Sequence, residues 1–181
     1  MKRIFLSILI AQLSIIASAQ NGQPADMLLD SALAKAKKEN KSVFIISTAS
    51  WCPPCNELKK ILHDKEIQPL MDKHYVFLYL YTAERGKKMK NNNPGALYII
   101  EKYEGYTSGV PYWFVVNAAG EKLADSYNGG EVTEAMLKKF ITYRDSEEKV
   151  KDFTGILEKT SRLTGNEIKL ISGRIKTLVG L

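Results

Sequence analysis

The chain has 181 residues, 45% of them hydrophobic and 25% charged, with a formal net charge of +6 and two cysteines. That length suits one domain with a proper core. The lysines are scattered among acids, as in Lys35, Lys37, Lys38, Glu39 and Lys41, and form no stripe interleaved with aromatics, so they read as solvated helix surface and no nucleic acid is expected as a partner.

The first residues stand apart from the rest. Met1-Lys2-Arg3 is a basic start, Ile4 to Ile16 is mostly apolar, and Ala17-Ser18-Ala19 offers the small residues of an export cleavage site. The apolar stretch is shorter than the roughly 20 residues of a membrane span, so residues 1–19 read as a cleaved signal peptide, with Gln20 first in the mature chain. No cysteine lies near that site, which argues against a lipid anchor. Loss of Lys2 and Arg3 lowers the formal charge from +6 to +4.

From there the elements follow in order. Pro24 to Asn40 reads as a helix with Met27, Leu28, Ala32 and Leu33 on its apolar face, and Ser42 to Ser47 as a buried strand. Trp51-Cys52-Pro53-Pro54-Cys55 comes next and leads into a helix from Pro53 to His63, with Leu58, Ile61 and Leu62 on one face. Gln68-Pro69 marks a break, and His74 to Tyr81 is a second strand. The basic segment Glu84 to Asn93 reads as a surface loop or short helical insertion. Pro94 starts a helix through Tyr103, with Leu97, Ile99 and Ile100 as its apolar residues. Pro111 to Val116 is a third strand, Asn117-Ala118-Ala119-Gly120 a turn, and Lys122 to Tyr127 the returning strand. A helix is expected from Glu131 to Tyr143, and a helical region from Ser146 to the end. This order places the chain in the α/β class, with a domain over 20–145 and a C-terminal helical extension over 146–181.

Within the extension, Val150, Phe153, Ile156 and Leu157 recur at helical spacing, as do Ile168, Ile171, Ile175, Leu178 and Val179 after a break at Thr164-Gly165. They either pack on the domain's own sheet or form a surface for a homodimer or another partner.

The cysteines carry the chemistry. Two thiols separated by two residues can close a small disulfide ring and reopen it. A strand before them and a helix after them put the pair at a helix N-terminus, where the dipole favours a thiolate. In an exported chain so small a ring constrains the unfolded state little, so the pair is there for chemistry, not for stability. A structural zinc site wants four ligands. Only His63, on another face of the helix, and His74, at the start of a strand, could join the cysteines, so neither metal nor cofactor is expected.

Three features together resemble the thioredoxin superfamily: Trp51-Cys52-Pro53-Pro54-Cys55 after a hydrophobic strand, Gly109-Val110-Pro111 before the strand Tyr112 to Val116, and the hairpin Val116 to Leu123. The likeness spans roughly residues 25–145 and, with the leader, is strongest to exported bacterial members. It implies a mixed central sheet flanked by helices and a periplasmic thiol–disulfide oxidoreductase. Cys52, the more exposed cysteine, would be the nucleophile and Cys55 the resolving thiol. Pro54 would kink the helix start, Pro53 would lie beside it, and Trp51 would cover one side of the site. Pro111 would be cis and stack on the disulfide, while the Val110 backbone would pair with an extended substrate. The implied partners are proteins bearing disulfides or dithiols and a membrane protein that donates electrons.

One position departs from the family pattern. Cytosolic members carry a buried aspartate six residues before the first cysteine; here it is Ile46, and the next strand offers Leu78, Tyr79 and Leu80 where a lysine usually stands. Proton handling then falls to water or another group, with Glu84 and Glu57 as candidates that otherwise read as solvated surface carboxylates. Pro53-Pro54 also lacks the histidine of strongly oxidising members. The family's potentials run from about −270 to about −120 mV, and this chain is expected toward the reducing half. Isomerase, oxidase and a non-catalytic interaction module are the alternatives.

Overall fold

The computed structural model describes residues 22–105, 109–127 and 146–181. The expected signal peptide over 1–19 and the helix expected over 131–143 lie outside them. Helix α1 (Ala25–Glu39) leads into strand β1 (Ser42–Thr48), then α2 (Pro53–Leu62), a one-turn α3 (Gln68–Met71) and β2 (Tyr75–Tyr81). A 3₁₀ segment (Gly86–Asn91), α4 (Ala96–Lys102), β3 (Tyr112–Val116), β4 (Lys122–Asp125), α5 (Glu147–Thr160) and α6 (Gly165–Val179) complete the order. The break expected at Gln68-Pro69 is a helical turn, because proline in the first turn gives up only an N–H that would be unpaired anyway.

Among the described residues, four strands lie in the order β2-β1-β3-β4, with β1–β2 parallel and β1–β3 and β3–β4 antiparallel. β1 is central, which explains why Val43 to Ile46 are apolar on both faces: each face is covered by helices. Strand alternation divides its residues between two cores. Phe44 and Ile46 join Trp113, Val115, the Leu58, Ile61 and Leu62 face of α2, and the buried residues of α5 and α6. Val43 and Ile45 join Leu78, Leu80, Tyr112, Phe114 and the buried faces of α1 and α4. The α1 face is rotated from expectation. Ala25, Leu29, Ala32 and Ala36 are buried while Met27 is 65% exposed, because small alanines let the helix approach the sheet closely. Leu97 of α4 is exposed for a similar reason, with Ala96, Ile99 and Ile100 facing inward.

The C-terminal helices complete the first core. Val150, Phe153, Ile156 and Leu157 of α5 and Ile171 and Ile175 of α6 are buried there, and the Phe153 ring meets Trp113 edge-on at 5.5 Å. Trp113 in turn stacks on Phe44 at 5.1 Å. The break between the helices is built by Thr164, whose side chain accepts from the Glu167 N–H while Glu167 reaches back to the Thr164 N–H. Arg174 of α6 donates from Nε and Nη2 to the two Asp64 oxygens, at 3.0 and 2.8 Å, fastening the extension to the end of α2.

Candidate active site

The end of β1 and the start of α2 are separated by Ala49, Ser50, Trp51 and Cys52. Cys52 is the N-cap of α2, and Pro53 and Pro54 occupy the first positions of the helix. Their fixed φ suits a helix start and their missing N–H groups leave no bond unmade. Pro53 therefore begins α2, with Pro54 second. The Cys55 N–H is the first donor of the turn, and it points at Cys52 Sγ across 3.2 Å.

Cys52 and Cys55 are joined in a disulfide, with Cα atoms 5.3 Å apart. Both residues are buried, at 2% and 3% exposure, so the expected difference in exposure is not present. Ala49, Ala83 and Val110 pack around the pair. Position distinguishes the two cysteines. Cys52 sits at the positive end of α2 and accepts an N–H there, which favours negative charge on its sulfur once the bridge is open. Cys55 lies one turn deeper.

The Val110–Pro111 peptide is cis. The Val110 carbonyl oxygen lies 3.5 Å from Cys52 Sγ. Val110 lies two residues before the start of β3, so its backbone stands outside the sheet's own pairing. Trp51 is 42% exposed at the other rim. Its indole Nε1–H donates to the Ala83 carbonyl at 2.6 Å, and the Arg85 guanidinium lies 3.7 Å from the ring centroid. Ile46 is buried in the apolar core, paired with Trp113 and Tyr79 across the sheet, so no carboxylate occupies its position beneath the site.

Glu84, one of the two carboxylates the sequence offers for proton handling, hydrogen-bonds Ser50 in the loop before Cys52. It reads as a surface carboxylate in a basic loop, yet it is 5% exposed. Its oxygens accept the Ser50 N–H at 2.6 Å and the Ser50 hydroxyl at 2.9 Å, and its own N–H donates to Asn92 Oδ1 at 2.8 Å. Lys88 Nζ donates to the same Ser50 oxygen at 3.1 Å. The loop after β2 thus holds the residues immediately before Cys52. Glu57 lies half-buried on α2.

The two histidines are placed apart from the cysteines. His63 caps the far end of α2, roughly 15 Å along the helix by its rise per residue, and its Nε2 is 3.1 Å from the Tyr79 hydroxyl. His74 lies just before β2, where burial and then Arg162 lower its pKa. Among the described residues no group of three or more His, Cys, Asp or Glu is placed to hold a metal ion.

A family model described as thioredoxin-like matches residues 25–118, which contain the disulfide and the cis proline. The chain belongs to the thioredoxin-like family. Its fold is the thioredoxin-like mixed sheet flanked by helices, with two further C-terminal helices. Thioredoxin H4 of Arabidopsis thaliana is 53% identical over 32 residues, which are 18% of this chain and 27% of that protein. The match therefore spans about a quarter of that relative's length. Among solved structures, a disulphide isomerase from Xylella fastidiosa Temecula1 superposes with a TM-score of 0.49 at 22% identity, covering 83% of this chain and 97% of the other. A DsbH oxidoreductase gives 0.43 at 21% identity over 74% and 91% of the two chains. A thioredoxin from Thermus thermophilus gives 0.41 at 20% over 65% and 80%.

Proposed function

We propose that this protein is an exported, periplasmic thiol–disulfide oxidoreductase that reduces disulfides in other proteins. The observation that carries the reading is the Cys52–Cys55 bridge at the N-terminus of α2, with the Cys55 N–H directed at Cys52 Sγ. In the reduced protein the Cys52 thiolate attacks one sulfur of a substrate disulfide. A mixed disulfide forms and the other substrate sulfur leaves as a thiolate. The Cys55 thiolate then attacks Cys52 Sγ, re-forming the bridge and releasing the second substrate thiolate. Two electrons pass to the substrate, and the protons lost by the two cysteines end on the substrate thiols. Ile46 supplies no relay for the Cys55 proton, so water and the departing thiolate carry it.

The Val110 backbone, 3.5 Å from Cys52 Sγ and outside the sheet, offers an edge on which an extended substrate can pair as an added strand. Pro111 shapes that edge, and Trp51 bounds the opposite side. The absence of histidine between the cysteines supports the reducing direction, and the Met1–Ala19 leader supports export. A protein working that way outside the cytosol needs a membrane donor of reducing equivalents. Val150, Phe153, Ile156 and Leu157 of α5 and Ile171 and Ile175 of α6 are buried in the core shared with Phe44 and Trp113, so a homodimer through these helices would have to use their outer faces.

Insulin reduction by wild type and Cys52→Ser tests the activity, and Cys55→Ser should trap a mixed disulfide. No dithiol-dependent turnover together with no trapped adduct sinks the enzymatic reading in favour of an interaction module. The equilibrium of the pair with glutathione fixes direction: a potential close to that of DsbA would make the protein an oxidant.

A further inference from the structure

We propose that the cationic segment beside the disulfide is a docking surface for acidic polypeptide, so that the preferred substrates are proteins with Asp or Glu flanking the disulfide. The inference rests on the exchange reaction proposed above and names its substrate class. Arg85-Gly86-Lys87-Lys88-Met89-Lys90 places four cations in six residues, all six exposed. Among the described residues none of the four cations is in an ion pair with a carboxylate. The adjacent acid, Glu84, is buried and turned inward onto Ser50.

Two of these cations are fixed against the active-site loop itself. Arg85 lies over the Trp51 ring at 3.7 Å and Lys88 Nζ is 3.1 Å from Ser50 Oγ, so they touch the two residues that precede Cys52. The segment's ends are pinned as well. Asn93 accepts the Tyr81 N–H at 2.7 Å and donates to the Gln23 carbonyl at 2.9 Å, and Asn92 accepts the Glu84 N–H. Held in place before a partner arrives, these charges lose little freedom on binding. On the opposite rim Gly109-Val110-Pro111 carries no charge. Among the described residues, a strand laid along Val110 would therefore meet these four cations on the Trp51 side. Met89, exposed among the lysines, adds an apolar contact. Charge of one sign around a reacting centre raises the encounter rate with the opposite sign, and salt suppresses the effect.

The test uses the reduced full chain and three disulfide peptides that differ only in their flanking residues: Glu, Gln or Lys. At low ionic strength the Glu peptide should be reduced on the order of tenfold faster than the Lys peptide, with the gap closing in high salt. The double variant Lys87→Glu/Lys90→Glu takes the segment from four positive charges to a net charge of zero, so it should erase that order while its rate on the small neutral disulfide of mercaptoethanol stays unchanged. Equal rates for the three peptides with the wild type, or a preference that survives in the double variant, overturn the proposal. So does a pattern in which the peptides react equally but the double variant loses binding to vesicles of anionic phospholipid, which would assign the cations to a membrane surface. Failure to reduce the neutral disulfide as well ends the exchange reading and this one with it.

Discussion

The Glu84 carboxylate grips Ser50 twice, accepting the backbone N–H at 2.6 Å and the hydroxyl at 2.9 Å. Ser50 lies two residues before Cys52, so a buried acid on the β2 side sets the path of the chain into the redox site. In Glu84→Ala the Ser50 N–H and hydroxyl lose a charged acceptor that is itself buried, a loss of about 1.5–3 kcal/mol for hydrogen bonds to a charged group. The thermal midpoint should fall accordingly. The alkylation rate of Cys52 in the reduced variant should also change, since its loop is no longer held, and Glu84→Gln should recover part of both. An unchanged alkylation rate alongside a lowered midpoint would leave Glu84 a purely structural residue.

Glu84 also marks where the sequence stops being readable. The Cys52–Cys55 pair could be placed because strand and helix periodicities on either side are local signals. The same holds for β1, whose run of apolar residues matches a strand covered on both faces. Whether a carboxylate in a lysine-rich loop faces water or a backbone N–H 34 positions earlier is set by tertiary folding. Met27 shows the same limit within a helix. Its apolar character suits the inward face, yet Leu29 and the small residues Ala25, Ala32 and Ala36 occupy that face. In α5 and α6 the period was legible but the surface they cover was not, because Trp113 and Phe44 lie far away in the chain.

Gly105 tests the packing next to the cis proline. A Cβ there would lie 2.6 Å from Tyr112 Cε1, 2.7 Å from Ile100 Cγ2 and 2.9 Å from the Ile100 carbonyl oxygen. Tyr112 is fully buried directly after Pro111, and a backbone oxygen has little room to retreat. Gly105→Ala should therefore destabilise by about 1–3 kcal/mol, as overpacking does. Denaturant unfolding measures this, and a midpoint equal to wild type would show that the α4–β3 connection can shift freely.

Acid stability should carry the signature of Asp64. The Arg174 guanidinium, and then the backbone N–H groups of Glu66 and Ile67, hold its pKa at about 2 against an ordinary 3.8. A carboxyl depressed in the folded state stabilises the protein above its unfolded value and loses that contribution as pH falls through the folded one. The window is thus from about pH 4 down to about pH 2. Arg174→Gln should flatten the stability curve within it and leave the slope above pH 5 unaltered. Urea midpoints across that range decide the matter, and parallel curves for the two proteins would mean the pair contributes nothing.

Phe153 decides whether the C-terminal helices are an appendage or part of the domain. Its ring is buried edge-on against Trp113, which itself stacks on Phe44 of the central strand. Phe153→Ala would open a void over the indole and cost about 3–5 kcal/mol, the range for truncating a buried aromatic. A helix pair that merely leaned on the sheet would relax into that space and lose far less. Because Trp113 pairs with Ile46 in β1, the loss should appear in one cooperative transition, with Trp fluorescence and far-ultraviolet circular dichroism reporting the same midpoint. Two separated transitions, the first confined to helical signal, would show that residues 146–181 unfold on their own. In that outcome the redox site should keep its activity after the first transition; in the expected one, activity and both optical signals vanish together.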